Sequence, residues 1–151
     1  MTVGEAKVLF DKLDHNSSPN APEGFDFEAV KTDADALIRK MEAFFGRRLS
    51  ISGPLDCQDS GCFTEIEIPG EFIRSKEDSL SKPSLSLSCF GHLANSAYED
   101  LLDPELLECL KELCSESGWN YIDGDLLDTV YLHDERSGDV VTWGERFFAH
   151  W

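Results

Sequence analysis

The chain has 151 residues, of which 41% are hydrophobic and 11% aromatic, so it can form one folded domain spanning residues 1–151. Its charge is unusual, because 30 acidic residues against 13 basic ones give a formal net charge of −17 at pH 7. A field of this sign repels nucleic acid and anionic membrane surfaces and attracts basic partners. Composition therefore disfavours nucleic-acid-binding and membrane-surface proteins. The plainer alternative is that the acidity only confers solubility.

The N-terminal residues and the cysteines indicate where in the cell the protein is expected. Residues 1–13 contain acids and lysines and no apolar run, so no signal peptide is expected. No apolar segment approaches the roughly 20 residues that span a bilayer. The five cysteines are an odd number and do not suggest a disulfide framework. We therefore expect reduced thiols in a cytoplasmic protein.

Two helices are expected near the start of the chain. A capping-box pattern and apolar residues at helical spacing predict a first helix over residues 3–14. A polar loop at residues 15–24 separates it from a second helix, which Thr32 caps and Gly46 ends. The buried stripe of the second helix is expected to contain Leu37, Ile38, Met41, Phe44 and Phe45.

From residue 48 the hydrophobic period changes to two residues, which is typical of strands. Strands are expected around Leu49 and Ile51, at residues 64–68 and at residues 84–89. In the last of these, two leucines and Cys89 would face the core and the alternating serines would face water. Such alternation favours an antiparallel sheet with one wet face. A further short strand and a loop are expected within residues 71–83.

The clearest helix start is the Asp-Pro-Glu sequence at residues 103–105, where a cap, a proline and an acid follow one another. This helix is expected to end at Gly118. A brief strand at residues 119–122 and an extended segment at residues 130–132 follow it.

A capping box at Thr142 and Glu145 predicts a terminal helix with one aromatic face. The aromatic residues of that segment are Trp143, Phe147, Phe148 and Trp151. Together the elements predict an α+β fold in a single domain. Its antiparallel sheet would have about four to five strands, with helices packed mainly on one face.

Cysteine spacing invites a zinc interpretation, which the predicted helices disfavour. Cys109 and Cys114 lie five residues apart on a helix, about 140° apart around its axis, so they do not converge on one ion. The acids of residues 123–128 lack the glycine and glutamate positions of a calcium loop. We therefore expect no metal and no cofactor. Pairing of Cys57 with Cys62 under oxidation stays open.

An enzyme would need reactive groups, and the best candidates are Cys89 and His92 as nucleophile and base of a thiol hydrolase. Cys89 lies on the apolar side of its strand, which favours a buried structural cysteine. Neither a G-x-S-x-G elbow nor a glycine-rich phosphate loop is present. No catalytic residue is therefore assigned, and a protein that is not an enzyme is expected.

Acidic residues concentrate in the last third of the chain. Residues 99–151 contain 14 acids and three bases, whereas residues 1–98 contain 16 acids and ten bases. Four glutamates of the helix recur at i, i+3, i+7 and i+11, which places them on one face. The candidate partner-binding residues are Glu105, Glu108, Glu112 and Glu116 on that face, then Asp123, Asp125, Asp128, Asp134 and Glu135. A solvated helix face is the alternative interpretation.

Small and aromatic landmarks mark the same third of the chain: Gly118-Trp119-Asn120-Tyr121-Ile122, Leu126, Tyr131, and Thr142-Trp143 followed by Arg146-Phe147-Phe148. Their arrangement resembles the ending of small acidic immunity proteins from bacterial polymorphic toxin and contact-dependent growth inhibition systems. The resemblance implies a cytoplasmic protein that binds one cognate toxin, often a nuclease, and blocks its active site or substrate groove. An acidic surface suits that task, because nuclease grooves are basic. No interface residue follows from these landmarks.

Charge and resemblance together predict that the chain neutralises a cognate basic toxin through an acidic surface, without catalysis. One alternative is a regulatory or adaptor domain that uses the acidic helix face. The other is the Cys89 and His92 hydrolase. The sequence predicts no oligomeric state.

Overall fold

The computed structural model describes residues 1–14, 24–52, 62–74, 82–133 and 140–148. The described helices are α1 (Val3–Asp14), α2 (Phe27–Phe45), α3 (Pro104–Glu116), α4 (Gly124–Leu127) and α5 (Trp143–Phe148). The described strands are β1 (Ile51–Ser52), β2 (Cys62–Glu67), β3 (Ser84–Ser88), β4 (Leu93–Ala97), β5 (Asn120–Tyr121), β6 (Val130–His133) and β7 (Val140–Thr142). Short 3₁₀ turns occupy Gly70–Phe72 and Glu99–Leu101.

Helices α1 and α2 begin where a side chain supplies a missing backbone partner. In α1 the backbone N–H of Thr2 donates to the Glu5 carboxylate at 2.7 Å, and the Glu5 N–H donates back to the Thr2 hydroxyl at 3.3 Å, which confirms the capping box. Helix α2 begins earlier than expected, because Asp26 caps it. Thr32 lies inside the helix, where its hydroxyl donates to the Glu28 carbonyl at 2.9 Å instead.

The end of α2 matches the prediction except at one residue. Gly46 adopts a left-handed conformation with φ of 69°, and its N–H bonds to the Glu42 carbonyl, as a helix C-cap requires. Leu37, Ile38 and Met41 are buried. Phe44 is not part of the buried stripe, because 46% of its surface is exposed at the end of the helix.

The main sheet has the order β1-β2-β3-β4-β5. The first three pairings are antiparallel, and Leu85 lies opposite both Ile66 of β2 and Ser96 of β4. Strand β5 pairs parallel to β4, so the sheet is mixed. A parallel pair needs a long crossover connection, and α3 lies within it. Strands β6 and β7 form a separate antiparallel pair.

Strand β3 is buried on both sides, which differs from the expected wet face. Its serines are buried, and two of these residues form hydrogen bonds to other elements. The Ser88 hydroxyl donates to the Phe147 carbonyl of α5 at 2.7 Å, and the Ser84 carbonyl accepts from Ser96 at 3.1 Å. The period-two pattern therefore predicted the strand correctly but not the exposure of its polar side.

Helix α5 docks on the core through its aromatic face. The N–H of Thr142 donates to the Glu145 carboxylate at 2.8 Å, so the predicted capping box begins the helix. The rings of Trp143 and Phe147 stack at 5.3 Å, and Phe10 of α1 lies 5.2 Å from Trp143. All three aromatic side chains are buried. The end of the described chain is thus held against its beginning.

The described part of the chain has no helix that combines the length and apolarity needed to cross a bilayer. Several expectations concern positions outside the described residues: most of the loop at 15–24, most of the segment at 71–83, the pairing of Cys57, and the side chain of Trp151.

Candidate functional site

The acidic face of α3 is exposed along its whole length. All four glutamates point away from Leu106, Leu110 and Cys114, which the same helix buries. The exposed residues are Glu105, Glu108, Glu112 and Glu116. Two of them meet a lysine: Glu108 lies 3.5 Å from Lys111, and Glu116 lies 3.8 Å from Lys40. Exposed pairs of this kind contribute only about 0–1 kcal/mol.

Glu105 and Glu112 form no ion pair with any described residue. Within the described part of the chain, these two carboxylates therefore have no compensating base on the helix face. Like charges four residues apart weaken a helix by a few tenths of a kcal/mol, about 0.2–0.5 each. The row of acids is thus unfavourable for the helix itself.

Lys111 joins this helix face to the acids that follow it. Its ammonium lies 2.7 Å from the Asp123 carboxylate, immediately before α4, and 3.5 Å from Glu108. Partial burial acts to lower the pKa of Lys111, but the hydrogen bond and charge of Asp123 outweigh it and hold the pKa above its ordinary value. Two acidic runs that are separate in sequence therefore meet on one side of the molecule.

A cleft of about 340 Å³ lies beside α4. The described residues that line it are Ser96, Tyr98, Glu99, Asp100, Gly124, Asp125 and Asp128, which bring four carboxylates and no base. Tyr98 is 52% exposed and adopts a left-handed backbone with φ of 60°. The cleft can receive a cationic side chain, and an exposed aromatic ring stands at its edge.

Glu99 fixes the inner wall of this cleft. Its carboxylate accepts hydrogen bonds from the Tyr121 hydroxyl at 2.7 Å, the Asn95 amide at 3.2 Å and the Gly124 N–H at 3.4 Å. Desolvation raises the pKa of Glu99 despite these donors. Burial and the neighbouring Glu99 charge also raise the pKa of Tyr121, so the phenol stays protonated and donates.

The structure therefore places the sequence-predicted residues in different surroundings, and Glu108, Glu112 and Glu116 share the exposed face of α3. Asp123 is tied to the α3 face through Lys111, whereas Asp125 and Asp128 line the cleft beside α4. Glu105 lies at the opposite end of α3, next to a different groove. The remaining two candidates, Asp134 and Glu135, lie outside the described residues.

Sequence reasoning did not assign Glu99, Asp100 or Tyr98 to the site. Glu99 and Asp100 occupy a short 3₁₀ turn rather than a helix, so no hydrophobic period relates them to the face of α3. They reach Asp125 and Asp128 only through folding. Proximity in sequence to an acidic run was the one available signal.

Cys89 and His92, the pair considered for a thiol hydrolase, do not form a nucleophile and base in the structure. Cys89 is disulfide-bonded and 3% exposed, so the expectation of reduced thiols throughout is wrong at this position. His92 lies with its Nε2 2.8 Å from the Asp33 carboxylate, and its ring centroid is 4.8 Å from that of Trp119. In this arrangement Cys89 offers no thiolate for attack on a substrate.

Cys109 and Cys114 are free thiols. Burial raises the pKa of Cys114 to about 12, which makes it an unreactive core side chain. Among the residues that the structure describes, no group of three or more His, Cys, Asp or Glu side chains could hold a metal ion.

Comparison of the chain with protein-family models, with curated proteins and with solved structures finds no match in any of the three.

Proposed function

We propose that this chain is an immunity-type protein that binds and neutralises a cognate, basic bacterial toxin through its acidic surface. It acts stoichiometrically and without catalysis. The toxin's active-site or substrate groove carries the basic charge that this surface meets, as a nuclease groove does.

The observation that carries the proposal is the charge density of one continuous region. Residues 99–128 contain ten carboxylates and a single base, Lys111. That base already contacts Glu108 and Asp123, so it leaves most of the region's negative charge uncompensated. Complementary potentials accelerate encounter and suppress wrong partners.

The arrangement of the acids also supports a binding role. Solvated surfaces commonly mix charges of both signs, whereas like charges four residues apart on α3 weaken the helix. Glu105 is favoured by the helix dipole in the first turn of α3, whereas Glu112 has no ion-pair partner among the described residues and would gain one from a basic surface. Acids at a binding surface thus account for a row that is otherwise unfavourable for stability.

The proposal is tested first in cells, by cloning the toxin-like reading frame that neighbours this gene, alone and together with it. We expect the neighbouring product to arrest growth alone and to be harmless when this chain is co-expressed. Undiminished toxicity despite good expression of this chain, or a neighbouring product that is harmless by itself, would contradict the proposal.

A charge-reversal pair then tests the surface. Glu105→Lys with Glu112→Lys should reduce toxin binding by at least tenfold. The matched control is Asp11→Lys with Glu28→Lys, which changes the net charge by the same amount. Glu28 is an exposed acid in the first turn of α2, as Glu105 is in α3, and Asp11 is an exposed acid further along α1, as Glu112 is in α3. Equal loss in both double variants would mean that overall charge, rather than the α3 surface, drives binding.

A further inference from the structure

We propose that the groove between the end of α2 and the start of α3 receives a large apolar side chain of the basic partner, flanked by lysine or arginine. The lining of this anchor pocket includes the apolar Phe44, Phe72 and Leu106 and the charged Arg74, Asp103 and Glu105. The inference rests on the proposed function, because the partner is the same basic protein. It specifies the position on this chain at which the partner binds and the type of side chain that binds there.

The floor of the anchor pocket is apolar. Phe44 exposes 46% of its surface there, although its position in the α2 pattern predicts a buried residue. Leu106 and Phe72 complete the floor at greater depth. Large apolar side chains that enter a desolvated pocket supply most of the binding energy in many interfaces. The anchor pocket has a volume of about 380 Å³, near the lower end of the range for ligand pockets.

The walls of the anchor pocket are held in place by contacts between the elements that form it. The ring of Phe45 packs on that of Phe72 at 5.1 Å, and Arg47 forms an ion pair with Glu71. In the same segment as Phe72, the Arg74 backbone N–H donates to the Leu101 carbonyl at 2.8 Å, which connects this segment to the chain that leads into α3. A pocket formed before binding loses little entropy when it is filled.

The charges around the anchor pocket determine which residues are favoured on either side of the apolar residue that enters it. Arg47 balances Glu71, so Asp103 and Glu105 outweigh Arg74 among the remaining lining charges. Glu108 and Glu112 extend the negative charge along the same helix. An apolar side chain with basic neighbours is therefore favoured over one with acidic neighbours, which would be repelled.

Three synthetic peptides test this inference with the full-length protein, by fluorescence anisotropy. The first has a central phenylalanine between arginine and lysine flanks, the second has serine at the centre, and the third keeps phenylalanine but has glutamate flanks. We expect the first to bind at least tenfold more tightly than either of the others. Amide resonances of Ile73 and Cys109 should shift on binding.

Variants assign the preference to the anchor pocket. Phe44→Ser should remove the preference for phenylalanine over serine, and Glu105→Gln should weaken both basic peptides. Val8→Ser is the matched control, since Val8 is 70% exposed on α1 and should leave the preference intact. Equal binding of the phenylalanine and serine peptides to the unaltered protein, or a preference retained in Phe44→Ser, would overturn the inference.

The outcomes separate this inference from the proposed function. If charge reversal abolishes toxin binding while Phe44→Ser keeps the peptide preference, the acidic surface stands and the anchor pocket does not. If the phenylalanine preference depends on Phe44 but no toxin binds, the anchor pocket stands and its proposed partner is wrong.

Discussion

At the scale of single residues, Asp14 and Arg146 form an enclosed ion pair between α1 and α5. Their atoms lie 2.7 Å apart with side-chain exposures of 23% and 10%, and the Tyr131 hydroxyl donates to the same carboxylate at 3.0 Å. The Arg146 guanidinium also lies 4.5 Å from the centre of the Phe90 ring. The pair therefore connects both ends of the described chain to the aromatic part of the core.

Removing one charge of this pair should be costly. Asp14→Asn is expected to lower the free energy of unfolding by about 2–3 kcal/mol, because it leaves the Arg146 charge poorly compensated in an enclosed position. Urea denaturation measures the change. Asp11→Asn, at an exposed position of the same helix, should change stability by no more than about 0.5 kcal/mol. Similar values for both variants would show that the ion pair contributes nothing particular.

Glu99 predicts a pH dependence of stability. Its pKa in the folded protein is raised by desolvation, so folding favours the protonated acid. This contribution is fully present below the ordinary glutamate pKa of about 4.5 and is lost as pH rises through the higher folded pKa.

The free energy of unfolding of the unaltered protein should therefore fall relative to that of Glu99→Gln as pH rises from about 4.5. Chemical denaturation at several pH values between 4 and 7 measures this difference. Glu28→Gln removes an exposed charge of the same type and corrects for the change in net charge. A difference that stays constant, or shifts in the other direction, would contradict the assigned environment of Glu99.

At the scale of elements, α3 combines a stabilising buried side with an unfavourable exposed one. Glu112 has a like charge four residues away on either side, at Glu108 and Glu116. Glu112→Gln should therefore raise the free energy of unfolding by about 0.2–0.5 kcal/mol at low salt. The gain should disappear at about 1 M salt, where charges are screened within about 3 Å.

The same substitution should weaken toxin binding, so that stability and affinity change in opposite directions. Denaturation and binding titrations of Glu112→Gln measure the two effects. Unchanged affinity together with increased stability would identify the α3 glutamates as an ordinary solvated face.

Elements with strong local signals could be predicted from sequence, and elements defined by distant partners could not. The caps at Thr2, Asp103 and Thr142 act within one helical turn, so sequence reasoning located those helix starts. Strand β4 (Leu93–Ala97) has no hydrophobic alternation and was not predicted. It is a strand because its backbone pairs antiparallel with β3 and parallel with β5, which lies beyond α3 in the sequence.

The candidate site follows the same division. Helical spacing predicted the exposed glutamates of α3, because residues three and four apart share a face. The cleft of Glu99, Asp100, Asp125 and Asp128 needed the fold, since a turn and a separate helix bring its walls together. The exposure of Phe44 also escaped prediction, because the α2 pattern does not show where the helix leaves the core.

At the scale of the whole molecule, a net charge of −17 attracts any basic protein to some degree. The central claim is narrower: a basic toxin binds the surface formed by α3 and α4 rather than the acidic chain in general. Fold class alone cannot distinguish these possibilities, because function depends on sites rather than on folds. A comparison at constant net charge can.

The most direct measurement is the dissociation constant for the purified neighbouring toxin, determined by titration calorimetry at 50 mM and 300 mM salt. The unaltered chain and the Asp11→Lys, Glu28→Lys control should bind alike, one to one, and more weakly at the higher salt concentration. Glu105→Lys with Glu112→Lys should bind at least tenfold more weakly at 50 mM salt. Equal affinity of the two double variants, or binding that ignores salt, would contradict the account.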